Sequence, residues 1–323
     1  MNNQRNEITS LPMTTYCPEV KPTVRSSVVK ALKRVRASQP FNYLATSVVH
    51  ACQQVTGVQS EFVIKHLHRV GSVRRRLPNG RRVLLWSQGD DWVSTQVYWR
   101  GWNGYEPETV PLFFRLSTQA QVTLDVGAYV GFFSLLAAHA NPKGKVYAFE
   151  PLPSVYRRLR RNVELNQLAN VQCIPAAIGE IEGEADFWHI DAETPTSSSL
   201  SREFMGGGEN LVCTKVAVIT LDRFAQTNHL NRVDLMKLDT ESTEYQVLRG
   251  MVETIQRDHP IIISEVLPGR GGEAPLEEIL RRYGYRFYHL TPAGPKRRDK
   301  VEGHPEWLNY LFTPLSSDEV DRL

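Results

Sequence analysis

Between residues 122 and 150 the apolar positions fall into a β-branched run (122–126), a five-residue loop GAYVG (127–131), a helical apolar stretch and a second short run (145–149) ending at Glu150. This pattern predicts a strand, a glycine loop, a helix and a second strand. Downstream it predicts a basic helix over 154–167, a strand over 171–174, and alternating stretches over 185–190 and 215–220. Those two stretches read as an antiparallel insertion around a polar, glycine-rich loop, 191–210. Strands over 233–238 and 260–266, helices over 244–256 and 274–283, and closing strands over 285–290 and 307–313 complete the core. Strands alternating with helices imply a parallel sheet, and the helix-free connection 291–306 implies a reversed hairpin at its edge. Upstream, a proline-containing polar tail (1–24) leads into helices over 24–37, 41–55 and 60–69. A hairpin over 73–77 and 81–86 turns at Pro78-Asn79-Gly80, because asparagine and glycine tolerate positive φ. An aromatic, glycine-rich stretch (98–105) precedes an amphipathic segment over 108–117.

A hydrophobic fraction of 41% and a charged fraction of 23% over 323 residues suit one globular domain with an extension, divided here as 1–97 and 98–323. No run approaches the ~18 apolar residues of a membrane span, and the N-terminus lacks the order of a secretory signal. Cys17, Cys52, Cys173 and Cys213 are scattered without C-x-x-C spacing, so a reducing, cytoplasmic setting is expected. Charge is uneven: residues 1–86 hold 14 Lys and Arg against 3 Asp and Glu, and the remainder holds 24 against 32. A basic arm invites a nucleic-acid or anionic-membrane partner. Arg74–Arg76 and Arg81–Arg82, however, flank a turn and form no helical stripe. The extension is therefore expected to pack on its own domain or to serve as a homo-oligomer contact, with nucleic acid as the lesser alternative.

The glycine loop carries the chemistry. Gly127 and Gly131 let a ligand approach the backbone at a helix start, and Glu150 at the second strand tip can accept hydrogen bonds from both ribose hydroxyls of a nucleoside. The spacing is G-x-x-x-G and lacks the middle glycine that makes room for a pyrophosphate. S-adenosylmethionine, with an adenosine but no phosphate, fits this spacing, and Asp125 offers its cationic end a favourable neighbour. Ala128 belongs to the same loop, and Ala177 and Ile178 are placed to border adenine. Doubly wound sheets open their crevice at the carboxyl ends of strands, where Asp239, Glu241 and Glu265 fall. Asp239 is the first candidate for a general base; Glu241 and Glu265 are candidates to orient hydroxyls or to share a divalent cation such as Mg²⁺. No D-x-D or histidine–carboxylate set specifies a metal. Lys237, two residues before Asp239, shares its sheet face and is expected to pair with it. His189 is an alternative base. Trp99, Trp102 and Tyr105 are candidates for an aromatic platform, with Glu106 beside them for acceptor hydroxyls.

From about residue 101 to 314 the chain resembles the FkbM family of S-adenosylmethionine-dependent methyltransferases. The resemblance rests on YEPE (105–108), DVGAYVG (125–131), EPLP (150–153), AIG (177–179), SSSL (197–200), ITLD (219–222), DLMKLDTE (234–241) and SE (264–265), in that order. It implies a Rossmann-like class I fold: a seven-stranded, mostly parallel sheet with an antiparallel last strand, here with an N-terminal helical and hairpin extension. That last strand argues against a dehydrogenase. The resemblance also gives the SSSL stretch a site role, with Ser198 and Ser199 binding the cofactor carboxylate or acceptor hydroxyls. It implies O-methylation of a sugar, glycoside or polyketide-type hydroxyl. A nucleic-acid methyltransferase and a cofactor-binding protein without catalysis are the alternatives; against the former, no Asn/Asp-Pro-Pro-aromatic motif occurs. One departure stands out: Ser242 occupies the position after Glu241 where the family usually has glycine.

Overall fold

A computed structural model describes residues 38–58, 60–195, 197–206 and 210–323. The expected tail, the helix over 24–37 and Cys17 lie outside these residues. The chain begins with α1 (Gln39–Thr56) and α2 (Glu61–His66), followed by the hairpin β1 (Val70–Arg76) and β2 (Arg82–Gln88). Then come α3 (Trp92–Arg100), α4 (Val110–Ser117), β3 (Val122–Val126), α5 (Phe132–Ala140), β4 (Lys145–Phe149), α6 (Pro153–Leu165) and β5 (Val171–Ile174). The insertion comprises β6 (Ala177–Ile178), β7 (Gly183–Ile190), β8 (Ser198–Ser199), α7 (Arg202–Met205) and β9 (Leu211–Ile219). The core continues through α8 (Leu221–Thr227), β10 (Leu235–Leu238), α9 (Glu244–Arg249), α10 (Val252–Asp258), β11 (Ile261–Glu265) and α11 (Glu273–Arg282). It closes with β12 (Arg286–Thr291), β13 (Gly294–Arg298), β14 (Asn309–Thr313) and α12 (Ser317–Val320).

Among the described residues the main sheet has eight strands in the order β13-β12-β14-β11-β10-β3-β4-β5. β11, β10, β3, β4 and β5 run parallel, and β14 is antiparallel to both neighbours. The antiparallel last strand is therefore present, but it slots between β11 and β12 and does not lie at the edge. The edge is β13, a hairpin partner of β12 that sequence reading left inside a connection; Gly294, at φ 94°, closes that turn. The expected helix over 244–256 divides into α9 and α10. A Cβ on Gly250 would stand 2.1 Å from the Gly179 carbonyl oxygen, and the Gly250 carbonyl accepts from Asp222 N at 3.0 Å. This close approach takes the backbone out of helical register. The insertion forms its own sheet, β6-β9-β7-β8, with β7 and β9 antiparallel as expected.

β3 is buried on both faces. Val122, Leu124 and Val126 pack into the cluster under α8 to α11, and Thr123 and Asp125 point to the other side, as the period of two requires. On that side Phe113, Leu135 and Leu136 share one core with Val73, Leu85 and Val97 of the hairpin and α3. The hairpin is held by α6: Asn162 Oδ1 accepts from Trp86 N at 2.7 Å, and Asn166 Oδ1 accepts from Leu84 N at 2.9 Å. No helix among the described residues is long and apolar enough to cross a membrane.

Candidate functional site

The chain returns across β3 to begin β10, and the crevice opens at the carboxyl ends of these strands. A cavity of about 450 Å³ lies there, within the usual ~300–1,000 Å³ of small-molecule sites. Its nucleoside-like end is walled by Gly127, Phe149, Glu150, Ala177 and Ile178. Gly127 is fixed by contact: at φ 80°, any Cβ would sit 1.7 Å from the Asp239 carbonyl oxygen. Gly131, at φ 88°, passes so close to α6 that a Cβ would meet Leu159 Cδ1 at 2.4 Å. Gly127 N and Ala128 N both donate to the Phe149 carbonyl, at 3.1 and 2.9 Å, which clamps the loop onto the tip of β4. Glu150 is 5% exposed, and each of its carboxyl oxygens accepts one backbone N–H: Oε2 from Tyr129 at 3.0 Å and Oε1 from Leu152 at 2.8 Å. The carboxyl plane is thereby fixed, with lone pairs left on both oxygens for a vicinal diol. Burial pushes Glu150 up to about 8 against the pull of those two N–H groups.

The other end is acidic. Asp239, Glu241 and Glu265 line it, together with Tyr105, Thr240 and Thr243. Lys237, 1% exposed, donates to Asp239 Oδ2 at 3.1 Å and to Asn309 Oδ1 at 3.3 Å, with Glu106 Oε2 at 3.9 Å. Burial alone would lower the lysine, but Asp239 and Glu106 outweigh it and raise it. Asn309 Nδ2 also donates to Glu106 Oε2 at 2.9 Å, so Glu106 stands behind the wall in this network. Burial holds Glu106 up at about 7 and Glu241 up at about 8, Asp239 adding to both, and drives Glu265 well above the carboxylate range. Glu241 and Ser242 both adopt positive φ, 56° and 78°. Glu244 Oε1 stabilises that turn by accepting from Thr240 N at 2.9 Å and Ser242 N at 3.2 Å. The left-handed conformation explains why a glycine suits position 242, and the turn forms with serine there.

A family model, the methyltransferase FkbM domain, matches residues 125–287. The chain belongs to the FkbM methyltransferase family. Its FkbM domain is of the S-adenosylmethionine-dependent class. The chain is similar to the AMB antimetabolite synthetase AmbE of Pseudomonas aeruginosa, 30% identical over 200 residues, 51% of this chain and 9% of that one. It is also similar to the 31-O-demethyl-FK506 methyltransferase FkbM of Streptomyces tacrolimicus, 25% identical over 239 residues, 65% of this chain and 87% of that one. The hexuronic acid methyltransferase AglP of Haloferax volcanii is 24% identical over 159 residues, 49% of this chain and 61% of that one. The chain thus spans less than a tenth of the length of AmbE.

The nucleoside end of the FkbM domain suits S-adenosylmethionine, since the diol acceptor Glu150 and the apolar walls Phe149, Ala177 and Ile178 border one cavity. Several predicted residues sit elsewhere. Asp125 is 1% exposed and off the cavity wall; Ser134 Oγ donates to its Oδ2 at 2.5 Å, and burial pushes it up to about 6. It faces α5 because period-two alternation turns it away from the cleft. Ala128 and Gly131 shape the loop without lining the cavity. Ser198 lines it, whereas Ser199, its neighbour on a strand, turns away and donates to the Glu241 carbonyl at 2.7 Å. Of the aromatic platform only Tyr105 reaches the cavity. Trp99 Nε1 donates to the Leu67 carbonyl at 2.9 Å, and Trp102 packs edge-on against Phe114. His189 bonds Thr214 Oγ1 at 2.9 Å within the insertion sheet. No group of three or more His, Cys, Asp or Glu among the described residues is arranged to hold a metal, so Asp239, Glu241 and Glu265 give Mg²⁺ no geometric support. Sequence reading missed Asn309 and Trp92, which reach the site through long-range packing. It also missed Tyr129, which lines the cavity from the glycine loop at a φ of 50°, a conformation that its residue type does not announce.

Proposed function

We propose that the chain is an S-adenosylmethionine-dependent O-methyltransferase acting on a hydroxyl of a sugar, glycoside or polyketide-type small molecule. The observation that carries this reading is Asp239, a carboxylate on the cavity wall whose Oδ2 is held by Lys237 at 3.1 Å. Its Oδ1 has no partner among the described residues and is available to take the proton of an acceptor hydroxyl. When bound, S-adenosylmethionine supplies an electrophilic methyl group. Glu150 orients the ribose, Gly127 and the Phe149–Ile178 walls admit the adenosine, and Asp239 removes the hydroxyl proton. Glu241 and Glu265 orient further hydroxyls of the acceptor. The relatives named for hexuronic acid and 31-O-demethyl-FK506 support a hydroxylated small-molecule acceptor. Cys52, Cys173 and Cys213 are free thiols, which suits a cytoplasmic setting.

The test is Asp239→Asn, which keeps size and hydrogen bonding but removes the proton acceptor. Methyl transfer to a panel of methyl glycosides, uronic acids and macrolide aglycones, followed by mass spectrometry, should fall about 10²–10⁴-fold, with S-adenosylhomocysteine affinity unchanged. Near-normal turnover would make Asp239 a structural partner of Lys237. Cofactor binding with no methylated product from the unsubstituted protein would favour a cofactor-binding role without catalysis.

A further inference from the structure

The acceptor end of the cavity gathers acids that face no cation on its wall. Asp239, Glu241 and Glu265 stand there, Glu150 lies at the nucleoside end, and none of the lining residues is Lys, Arg or His. Glu150 is matched by Tyr129 N and Leu152 N, and Asp239 by Lys237. Lys237 acts on Glu241 and Glu265 only at a distance, since its ammonium contacts Asp239, Asn309 and Glu106. Arg270 is the remaining cation acting on Glu241, and it lies off the wall, seated over the Phe204 ring at 5.1 Å. Glu265 lines the cavity, and its buried Oε2 has no hydrogen-bond partner among the described residues. A buried acceptor atom left unmatched costs free energy that a ligand donor recovers.

Resting on the methyltransferase reading above, we propose that the acceptor bears an ammonium group beside its reacting hydroxyl, as in an amino sugar or an amino alcohol, and that Glu241 and Glu265 receive that group. An ammonium supplies three donors and the missing positive charge. A neutral polyol supplies donors without charge, and a carboxylate or phosphate is opposed by Asp239 and offers the acids no counter-charge. Burial and the adjoining Asp239 disfavour ionisation of both glutamates in the empty cavity, a penalty that a cation relieves.

The experiment uses the full chain. Calorimetry first establishes S-adenosylhomocysteine binding; D-glucosamine, methyl α-D-glucopyranoside and D-glucuronate are then titrated into the saturated protein at neutral pH. Glucosamine should bind about tenfold more tightly than the neutral glucoside, with glucuronate weakest, because a charge-assisted hydrogen bond exceeds a neutral one by about that factor. Glu265→Gln and, separately, Glu241→Gln should shrink the glucosamine advantage to about twofold while S-adenosylhomocysteine still binds. Glucosamine binding no tighter than the glucoside, or glucuronate binding tightest, would overturn the proposal. So would a Glu265→Gln protein that keeps its thermal midpoint but loses S-adenosylhomocysteine, since the acids would then serve the cofactor. No S-adenosylhomocysteine binding by the unsubstituted protein would overturn the underlying methyltransferase reading as well, a result distinct from all of these.

Discussion

Glu150 combines burial with two backbone N–H donors, and this sets how cofactor binding should respond to pH. Its folded-state value of about 8 lies above that of an ordinary carboxylate. In the ligand-free protein its contribution to stability is therefore fully present at acid pH and is lost as pH rises through about 8. A ribose diol donates to the ionised form, so binding must draw off the proton. Affinity for S-adenosylhomocysteine should rise roughly tenfold per pH unit up to about 8 and then level off. Thermal shifts with and without ligand across that range, together with calorimetric proton release, are the measurement; a flat profile would place the ribose elsewhere. Glu150→Gln should abolish the slope. Glu150→Ala should weaken binding by roughly 3–6 kcal/mol, two charge-assisted hydrogen bonds, less any replacement by water.

The unit from β3 to β4 was readable from sequence because everything it needs is local: β-branched strands, glycines at fixed offsets and an acid at the strand tip. Its tightest constraint was not readable. Gly127 is required by the Asp239 carbonyl, which follows the end of β10, more than a hundred residues away. Gly127→Ala should therefore lower stability by roughly 2–6 kcal/mol, combining strain at positive φ with a backbone clash. A thermal midpoint within a degree of the parent would mean that β3 and β10 separate more easily than the packing implies. The same distinction explains the other differences. β6 and β8 are two-residue strands whose only signal is their partner. β13 was hidden because its polar, basic residues form an exposed edge without an apolar face. Lys237 and Asp239 pair by alternation, but Asn309 on β14 and Glu106 in the loop before α4, which complete the network, meet only through tertiary packing. Asp125 and Ser199 show the converse, since a motif position does not fix which face a side chain takes.

For the molecule as a whole, the question is whether the basic first 86 residues mark a nucleic-acid partner. Their charge is real, 14 basic against 3 acidic side chains, but part of it is turned inward. Arg69 is 5% exposed, donates to Thr46 Oγ1 at 2.7 Å and lies 3.7 Å over the Tyr43 ring. Arg75 donates to the Val97 carbonyl at 2.9 Å, and burial lowers its pKa. These guanidinium groups join the hairpin to α1 and α3, which supports a packing role for the extension. Arg74, Arg76, Arg81 and Arg82 remain exposed around the hairpin. If they gripped phosphates together with neighbouring cations, six or more such contacts would make affinity fall about 10³–10⁵-fold between 50 and 200 mM salt. Our expectation is the opposite: fluorescence anisotropy with a labelled duplex and a labelled single strand should show only weak, non-saturable binding at low salt. Replacing all four exposed arginines by glutamine should leave S-adenosylhomocysteine affinity unchanged, because none of the four lines the cavity. Saturable binding with a steep salt slope that disappears in that variant would instead make the hairpin a nucleic-acid surface and move the acceptor from small molecules to polynucleotides.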